Sequence, residues 1–168
     1  MVLIINTTSD TDVTAKIGSS LKEKGRPFEI IEASTLKISH CIGCNYCWLK
    51  TPGECSIKDD YEQILKKIIK ADQMWVISDT ALGFIDHKGK NIYDRIIPIA
   101  TMNLKFKNGQ MRHYLRYDHK TDIGLICNGE ADMDQLRKWN ERAALNFDSK
   151  SLGVYGTDRI EEVTACMC

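Results

Sequence analysis

Four cysteines lie close together in the first third of the chain, at positions Cys41, Cys44, Cys47 and Cys55. Their spacing is C-x2-C-x2-C-x7-C, and the dipeptide Pro52-Gly53 supplies a turn before the fourth thiol. Iron-sulfur clusters need several thiolates around one compact inorganic core, and three cysteines at two-residue intervals supply them with little ordering of distant chain. The spacing therefore predicts an iron-sulfur site with all four cysteines as the metal ligands.

Two other interpretations of these cysteines stay open. Four thiolates also suit a tetrahedral structural zinc ion, although zinc ligands more often come as two separated C-x2-C pairs. The third interpretation is that the cysteines bind no metal. The spacing favours iron-sulfur over zinc, but it does not decide among the three.

Composition and the remaining cysteines limit the setting of the protein. With 168 residues, of which 43% are hydrophobic, the chain has the size of one compact domain, and we expect residues 1–168 to form a single domain. Lysines and arginines equal aspartates and glutamates at 23 each, so no net charge attracts nucleic acid or an anionic membrane. The chain shows no export signal and no apolar run long enough to span a bilayer, so we expect a cytoplasmic protein with reduced thiols.

The three remaining cysteines lie outside this cluster. Cys127 ends a buried strand, while Cys166 and Cys168 form a C-x-C where chain ends fray.

Alternating strands and helices are predicted to position the cysteine segment. Five short apolar runs indicate buried strands: Val2 to Ile5, Phe28 to Ile31, Met74 to Ile77, Ile123 to Cys127 and Leu152 to Tyr155. Helical periodicity connects them: Val13, Ile17 and Leu21; Tyr61, Ile64, Leu65, Ile68 and Ile69; Ile92, Ile96 and Ile99 from about Asn91, with Pro98 able to shorten this helix; and Leu136, Trp139, Ala143 and Phe147. The alternation predicts an α/β fold with a doubly wound, five-stranded parallel sheet in the order 2-1-3-4-5.

One segment interrupts the alternation. Residues 104–117 alternate polar and apolar side chains around Asn108-Gly109, which predicts a β-hairpin. We expect this hairpin to form a lid over a ligand or a subunit contact rather than a nucleic-acid surface, because the chain as a whole is neutral.

In an open parallel sheet, ligands collect beyond the carboxyl ends of the strands at the switch point, here after the first and third strands. The first of these loops is rich in hydroxyls and precedes a helix N-terminus, which favours an anion. It lacks the glycines of a dinucleotide turn or a Walker loop. Asp10 and Asp12 would repel a phosphate, and one of them is expected to cap the first helix.

Taken together, Thr14-Ala15-Lys16, the cluster beginning Cys41-Ile42-Gly43-Cys44, Asp59-Asp60 and Asp94-Arg95 resemble the flavodoxin-like NAD(P)H-dependent FMN reductases, and more narrowly the iron-sulfur flavoproteins. The resemblance extends to about residue 130 and implies a flavodoxin-like fold, bound FMN, a 4Fe-4S cluster at the cysteines and NAD(P)H as electron donor. The residues that it implies for FMN are Thr8, Ser9, Thr11 and Thr14 at the phosphate, Ser78, Thr80, Ala81, Leu82 and Gly83 beside the isoalloxazine, and Asn128 and Gly129 on the far side.

The resemblance implies an FMN-dependent NAD(P)H oxidoreductase or electron-transfer flavoprotein that passes electrons to a small-molecule or protein acceptor. No side chain is assigned a catalytic role, and the resemblance alone implies a homodimer or homotetramer. The chain departs from the family at Asp10 and Asp12 in the phosphate loop and at Asp79, Ala81 and Leu82 after the third strand. The alternative is therefore a non-catalytic flavodoxin-like domain with a degenerate flavin site, which binds a metal such as zinc or a protein partner.

Overall fold

The protein is built around a parallel β-sheet, seen here in a computed structural model that describes all residues from Met1 to Cys168. The strands are β1 (Val2–Asn6), β2 (Phe28–Glu32), β3 (Gln73–Ala81), β4 (Phe84–Ile85), β5 (Ala100–Lys107), β6 (Gln110–Leu115), β7 (Asp122–Asn128) and β8 (Ser151–Gly156). The helices are α1 (Asp12–Glu23), α2 (Tyr46–Leu49), α3 (Tyr61–Ile68), α4 (His87–Asp94), α5 (Met133–Asn146) and α6 (Ile160–Cys166), with 3-10 turns at Ile97–Ile99 and Thr157–Arg159.

Five of the strands pair in parallel in the order β2-β1-β3-β7-β8. These are the five apolar runs of the sequence, so the predicted order 2-1-3-4-5 is confirmed. The short β4 adds to β3 as an antiparallel neighbour. No helix is long and apolar enough to cross a membrane.

Both faces of the sheet are covered, which explains why the strands are apolar throughout rather than alternating. All five residues of β1 are buried. Leu3 and Ile5 belong to the core under α3, α4 and α5, whereas Val2 and Ile4 belong to the core under α1 and α6. The first, second and fourth predicted helices are confirmed by α1, α3 and α5, which present their apolar stripes to these cores.

The third predicted helix was placed too late in the chain. It was expected from about Asn91 through Ile99, but α4 begins at His87 and ends at Asp94. The carboxylate of Asp86 accepts a hydrogen bond from the Gly89 amide and so caps the earlier start. Pro98 lies in the following 3-10 turn, where its missing N–H and fixed φ break the α-helix.

The C-terminal segment is a helix that the sequence interpretation did not identify. In α6, Val163 is fully buried, as is Met167 just after it, so the segment docks against the sheet rather than fraying. Cys166 and Cys168 are both exposed free thiols, while Cys127 is buried in the core as predicted.

The predicted hairpin is confirmed as β5 and β6, which form a separate two-stranded sheet. Its turn residues Asn108 and Gly109 both have positive φ, at 51° and 73°. Such a turn matches the twist of the two strands. The hairpin is fastened to the end of α5 because Lys105 and Lys107 bind the Asp148 carboxylate at 2.8 and 2.9 Å.

We expect Asp148→Asn to loosen this attachment. Hydrogen bonds from Lys105 and then Lys107 lower the pKa of Asp148 from 3.8 to about 2. A carboxyl group with a depressed folded-state pKa stabilises the fold above its unfolded pKa, and that stabilisation is lost as the pH falls through 2. Because Lys107 is half exposed and solvent screens the pair, the loss at neutral pH is about 1 kcal/mol in the free energy of unfolding.

Urea unfolding of the wild type and the Asp148→Asn variant at pH 7 and pH 3 measures this effect. The difference between the two proteins should shrink at pH 3. The matched control is Asp134→Asn, which removes an exposed partner of Arg137 and should leave the unfolding curve nearly unchanged. Equal effects of the two substitutions at pH 7 would contradict the attachment.

Candidate cysteine and flavin sites

The cysteine segment occupies the connection between β2 and α3. Three residues there adopt positive φ: Gly43 at 67°, Asn45 at 57° and Gly53 at 88°. These left-handed positions turn the chain sharply on both sides of α2, a single helical turn. The Thr51 hydroxyl donates to the Glu54 carbonyl at 2.9 Å and fixes the return of the chain before Cys55.

All four clustered cysteines line one small pocket, which has room for about 30 Å³ and opens to solvent. The opposite wall comes from the end of α4 and the segment after it, with Asp94, Arg95, Ile97 and Pro98. The four thiols are free and only partly buried. No three histidine, cysteine, aspartate or glutamate side chains lie close enough together to hold a single metal ion.

The four thiols lie within electrostatic reach of one another. Burial raises the pKa of Cys47, and the charges of Cys55, Cys41 and Cys44 raise it further. A hydrogen bond with the Ser56 hydroxyl, at 3.3 Å, lowers the pKa of Cys44, and the Tyr46 backbone lowers it further. Four thiolates in this pocket therefore repel one another unless positive charge compensates them, as a metal-containing group or a nearby cation does.

A buried guanidinium faces the same pocket. The Arg95 side chain is fully buried, and one of its terminal nitrogens donates to Asp59 Oδ2 at 2.6 Å. Burial alone would lower the pKa of Arg95, but hydrogen bonds with Asp59 and Cys55 and the charges of both raise it above its ordinary value. The donor set of four thiols beside a permanent cation fits an anionic iron-sulfur group, so the residues present are suited to that cofactor.

Trp48 attaches the cysteine segment to the rest of the protein. Its indole N–H donates to the Ile97 carbonyl at 3.1 Å, and its ring lies 4.8 Å from that of His113 on β6. Gly53 packs on the base of the hairpin, where an added Cβ would lie 3.0 Å from Arg116 Cδ. The hairpin thus supports the cysteine segment from one side, which the sequence interpretation did not anticipate.

The predicted phosphate loop lies after β1, but several of its polar groups already have partners within the chain. The buried Thr8 hydroxyl donates to Asn6 Oδ1 at 2.9 Å. The Thr14 hydroxyl donates to Glu32 Oε1 at 2.7 Å, and the same carboxylate accepts from Asn6. Ser9 and Thr11 are exposed at the loop surface. Of the four predicted phosphate residues, Ser9 and Thr11 therefore expose their hydroxyls to solvent, whereas Thr8 and Thr14 direct theirs into the protein.

Asp10 takes the place that an anion would take at the start of α1. Its Oδ1 accepts from the Asp12 amide at 2.8 Å, while the N-cap residue Thr11 makes no side-chain capping bond. Neither aspartate is the N-cap residue, so the expected cap is replaced by this local turn, in which Asp10 binds the first helical amide from the position before Thr11. The loop as it stands does not fit a phosphate well, because a carboxylate already occupies one of the amide donors.

The predicted isoalloxazine residues surround a tight reversal between β3 and β4. Leu82 and Gly83 form its tip with φ of 51° and 78°, and Leu82 is fully exposed. Ala81 pairs with Phe84, and Thr80 pairs with Ile85. Ser78 is buried at the base of this reversal, where its hydroxyl donates to Asp86 Oδ1 at 3.0 Å.

The loop after β7 closes against this reversal. The Gly83 carbonyl accepts from the Asp132 amide at 2.8 Å, and the Asn128 side chain donates to Asp79 Oδ1 at 2.7 Å. An added Cβ on Gly129 would lie 2.6 Å from Thr80 Oγ1. The structure thus brings Thr80, Gly83, Asn128 and Gly129 together at the carboxyl edge of the sheet, and their role toward a flavin stays a prediction.

Sequence reasoning missed three residues that organise these sites. Asp59 and Arg95 contributed to the resemblance, but their ion pair was not predicted. Glu32, which binds Thr14, carried a weak signal as a polar residue ending the second apolar run. Each of these roles depends on a partner far away in the sequence.

Comparison with known proteins agrees with this fold and relates the sequence to named iron-sulfur flavoproteins. No family model matches the chain. Two iron-sulfur flavoproteins of Methanocaldococcus jannaschii, MJ1083 and MJ0731, are 35% identical over 81 residues and 33% identical over 91 residues. An iron-sulfur flavoprotein of Archaeoglobus fulgidus is 34% identical over 92 residues. These matches cover 48%, 54% and 55% of this chain but only 41%, 46% and 44% of the respective relatives, less than half of their length.

Solved structures define the fold class. The NAD(P)H:quinone oxidoreductase from Methanothermobacter marburgensis has a TM-score of 0.62 at 14% identity, covering 97% of this chain and 92% of its own. Two-electron reduced Megasphaera elsdenii flavodoxin has a TM-score of 0.56 at 11% identity, covering 99% and 98%. The protein therefore has a flavodoxin-like α/β fold. Within that class, its sequence resembles the iron-sulfur flavoproteins, which confirms the resemblance drawn from its combined motifs.

We expect Gly129→Ala to separate the loops after β3 and β7. Residue 129 has φ of 123°, and the β-branched Thr80 cannot easily move away from a new Cβ. Gly25→Ala is the matched control, since residue 25 also has positive φ, at 63°, but nothing lies within 4 Å of an added Cβ. Urea unfolding should show a loss for Gly129→Ala about 1 kcal/mol larger than the control. Equal losses would contradict the close approach.

Proposed function

We propose that this protein is an electron-transfer flavoprotein or FMN-dependent NAD(P)H oxidoreductase that carries an iron-sulfur cluster. The observation that supports the proposal most directly is the single pocket lined by Cys41, Cys44, Cys47 and Cys55 beside a flavodoxin-like sheet. Sequence similarity to proteins named iron-sulfur flavoproteins supports the same conclusion. We propose the four cysteines as cluster ligands, with a 4Fe-4S core as the expected type.

The two cofactors would divide the chemistry. When bound, FMN would supply two-electron acceptance from a nicotinamide with one-electron release, and an iron-sulfur group held by the four cysteines would supply single-electron transfer. The chain's own part is to bind and orient these groups and to exclude water. The cysteine segment and Arg95 enclose one group, while the tips of the β3 and β7 loops border the other.

The flavin side of the proposal uses the carboxyl edge of the sheet. Ser9, Thr11 and the first turn of α1 face a phosphate, provided that Asp10 releases the Asp12 amide. The exposed Leu82 side chain, held at positive φ, offers an apolar surface to the isoalloxazine. Asn128 and Gly129 border the ring from β7. No side chain is proposed as an acid or base, because hydride transfer to the flavin requires none.

The partners follow from this chemistry. We propose NADH or NADPH as donor and a small molecule or another protein as electron acceptor, with no role for nucleic acid or membrane. We further propose a homodimer or homotetramer, as the resemblance to the FMN reductases implies. A cytoplasmic location is proposed because all seven cysteines are free thiols.

The cofactor content of anaerobically purified protein tests the proposal. We expect stoichiometric FMN with iron and acid-labile sulfide in the wild type. Cys55→Ser should lose most of the iron and sulfide, because it removes one of four ligands and leaves the flavin loops intact. Cys166→Ser is the matched control, since Cys166 is an exposed thiol outside the pocket, and it should retain both. Iron content unaffected by Cys55→Ser would contradict the assignment of the ligands.

A second function is favoured by one specific observation. The phosphate loop is satisfied from within the chain, with Asp10 at the Asp12 amide and Glu32 at Thr14. A non-catalytic flavodoxin-like domain with a degenerate flavin site would show this arrangement. Its cysteine pocket would then hold a metal such as zinc or contact a protein partner.

Flavin titration separates the two functions. Asp10→Asn removes the negative charge nearest to the proposed phosphate position, so we expect FMN affinity to rise about fivefold, with the gain diminishing at high salt. Quenching of flavin fluorescence by apo-protein measures the affinity, and Asp134→Asn serves as a remote charge control. If neither the wild type nor Asp10→Asn quenches added FMN, the non-catalytic function replaces the flavoprotein proposal.

A further inference from the structure

We propose that Arg95 is a positioning residue that compensates negative charge in the four-cysteine pocket and directs its free Nε–H toward the sulfur-containing group bound there. This inference rests on the proposed function, because it concerns the group that the cysteines hold. It adds a residue that is not itself a ligand and assigns it a definite electrostatic effect.

The first observation is the way in which Arg95 is held. One terminal nitrogen donates to Asp59 Oδ2 at 2.6 Å and to the Ser39 carbonyl at 3.2 Å, and the other donates to the Ile57 carbonyl at 3.2 Å. The guanidinium also lies 4.6 Å from the centre of the Tyr61 ring. These contacts all come from within the chain, so the position of the guanidinium does not depend on a bound group.

The second observation is an unused donor. Arg95 Nε is buried and has no hydrogen-bond partner within the chain. Buried donors are rarely left unpaired, because losing water without a new partner is costly. Arg95 lines the same pocket as Cys41, Cys44, Cys47 and Cys55. Of the four thiols, Cys55 is the one whose charge acts on Arg95, so we assign the Cys55 sulfur, as a ligand of the bound group, as the acceptor for this donor.

The third observation is the balance of charge. The Asp59 carboxylate offsets the positive charge of Arg95. Asp59 also accepts hydrogen bonds from the Ser39 and Tyr61 amides at 2.9 and 3.1 Å, and these disperse its negative charge. The cation therefore retains influence on the thiolates beside it. Positive charge and N–H···S hydrogen bonds favour the more negative, reduced state of an iron-sulfur group.

The effect is measured in a one-electron reduction. Dithionite supplies one electron to the oxidised cluster, no bond in the protein breaks, and the negative charge of the pocket increases by one. Without the positive guanidinium, the additional negative charge of the reduced state should be less stable. We expect Arg95→Gln to lower the equilibrium constant for reduction at least tenfold, which corresponds to a potential about 59 mV more negative. Arg95→Lys keeps the charge and should show a smaller shift.

The experiment uses wild-type protein and both variants, loaded anaerobically with ferrous iron and sulfide. Potentials are read from visible absorbance during dye-equilibrated titration. Arg26→Gln is the matched control, because Arg26 also has a buried unpaired Nε but does not line the pocket. If Arg95→Gln alone does not fold, the double variant Asp59→Asn/Arg95→Gln replaces it, because this variant leaves no buried carboxylate without its cation. A merely structural Arg95 would lower cluster content but leave the potential of the incorporated cluster unchanged, which would overturn the proposal.

Cadmium binding distinguishes failure of this proposal from failure of the proposed function. Cd²⁺ bound by thiolates absorbs in the ultraviolet, so its titration needs neither iron nor flavin. Protein that takes up no iron would refute the cluster function, yet a tenfold loss of Cd²⁺ affinity in Arg95→Gln would still support the role of Arg95. Unchanged Cd²⁺ affinity in that variant would overturn it, as would a wild type that binds neither iron and sulfide nor Cd²⁺.

Discussion

The buried ion pair between Arg95 and Asp59 is the contact on which the cysteine site depends. It joins the end of α4 to the N-terminus of α3, and its carbonyl partners Ser39 and Ile57 lie at the two ends of the cysteine segment. Removing either partner would leave an uncompensated buried charge, which costs about 3–5 kcal/mol. A segment with only one turn of helix is thereby held in a defined position. The ion pair thus adds, from outside the segment, to the Trp48–Ile97 hydrogen bond and the internal Thr51 turn that also hold it.

The candidate sites are built from separate parts of the fold. The cysteine pocket takes its walls from residues 41–57 and 94–98, whereas the flavin loops follow β1, β3 and β7 at the carboxyl edge. They share no lining residue. The loops after β3 and β7 are closely joined through Gly83 and Asp132, while the loop after β1 is occupied by its own carboxylates. The residues of the cysteine pocket are thus closer to a ligand-ready arrangement than those of the flavin loops. Because the two sites share no residue, a substitution in one need not alter the other.

The sequence predicts the fold well because the signals involved are local. Apolar runs such as Val2 to Ile5 identify buried strands, and Asn108-Gly109 identifies the hairpin turn. The start of α4 was missed because residues 87–90 carry no apolar side chain, although Asp86, three residues before Gly89, is a local capping signal. The inward orientation of Thr14 depends on Glu32, 18 residues away, and the burial of Arg95 depends on Asp59, 36 residues away. An arginine in isolation indicates a surface position, so only tertiary packing reveals that this one lies inside the protein.

Anomalous diffraction from crystals grown without oxygen, with data collected at the iron and zinc absorption edges, would identify the metal in the cysteine pocket. We predict iron density in the pocket between the cysteine segment and residues 94–98, surrounded by the sulfurs of Cys41, Cys44, Cys47 and Cys55. Zinc at that position, or iron bound elsewhere with all four thiols free, would contradict it.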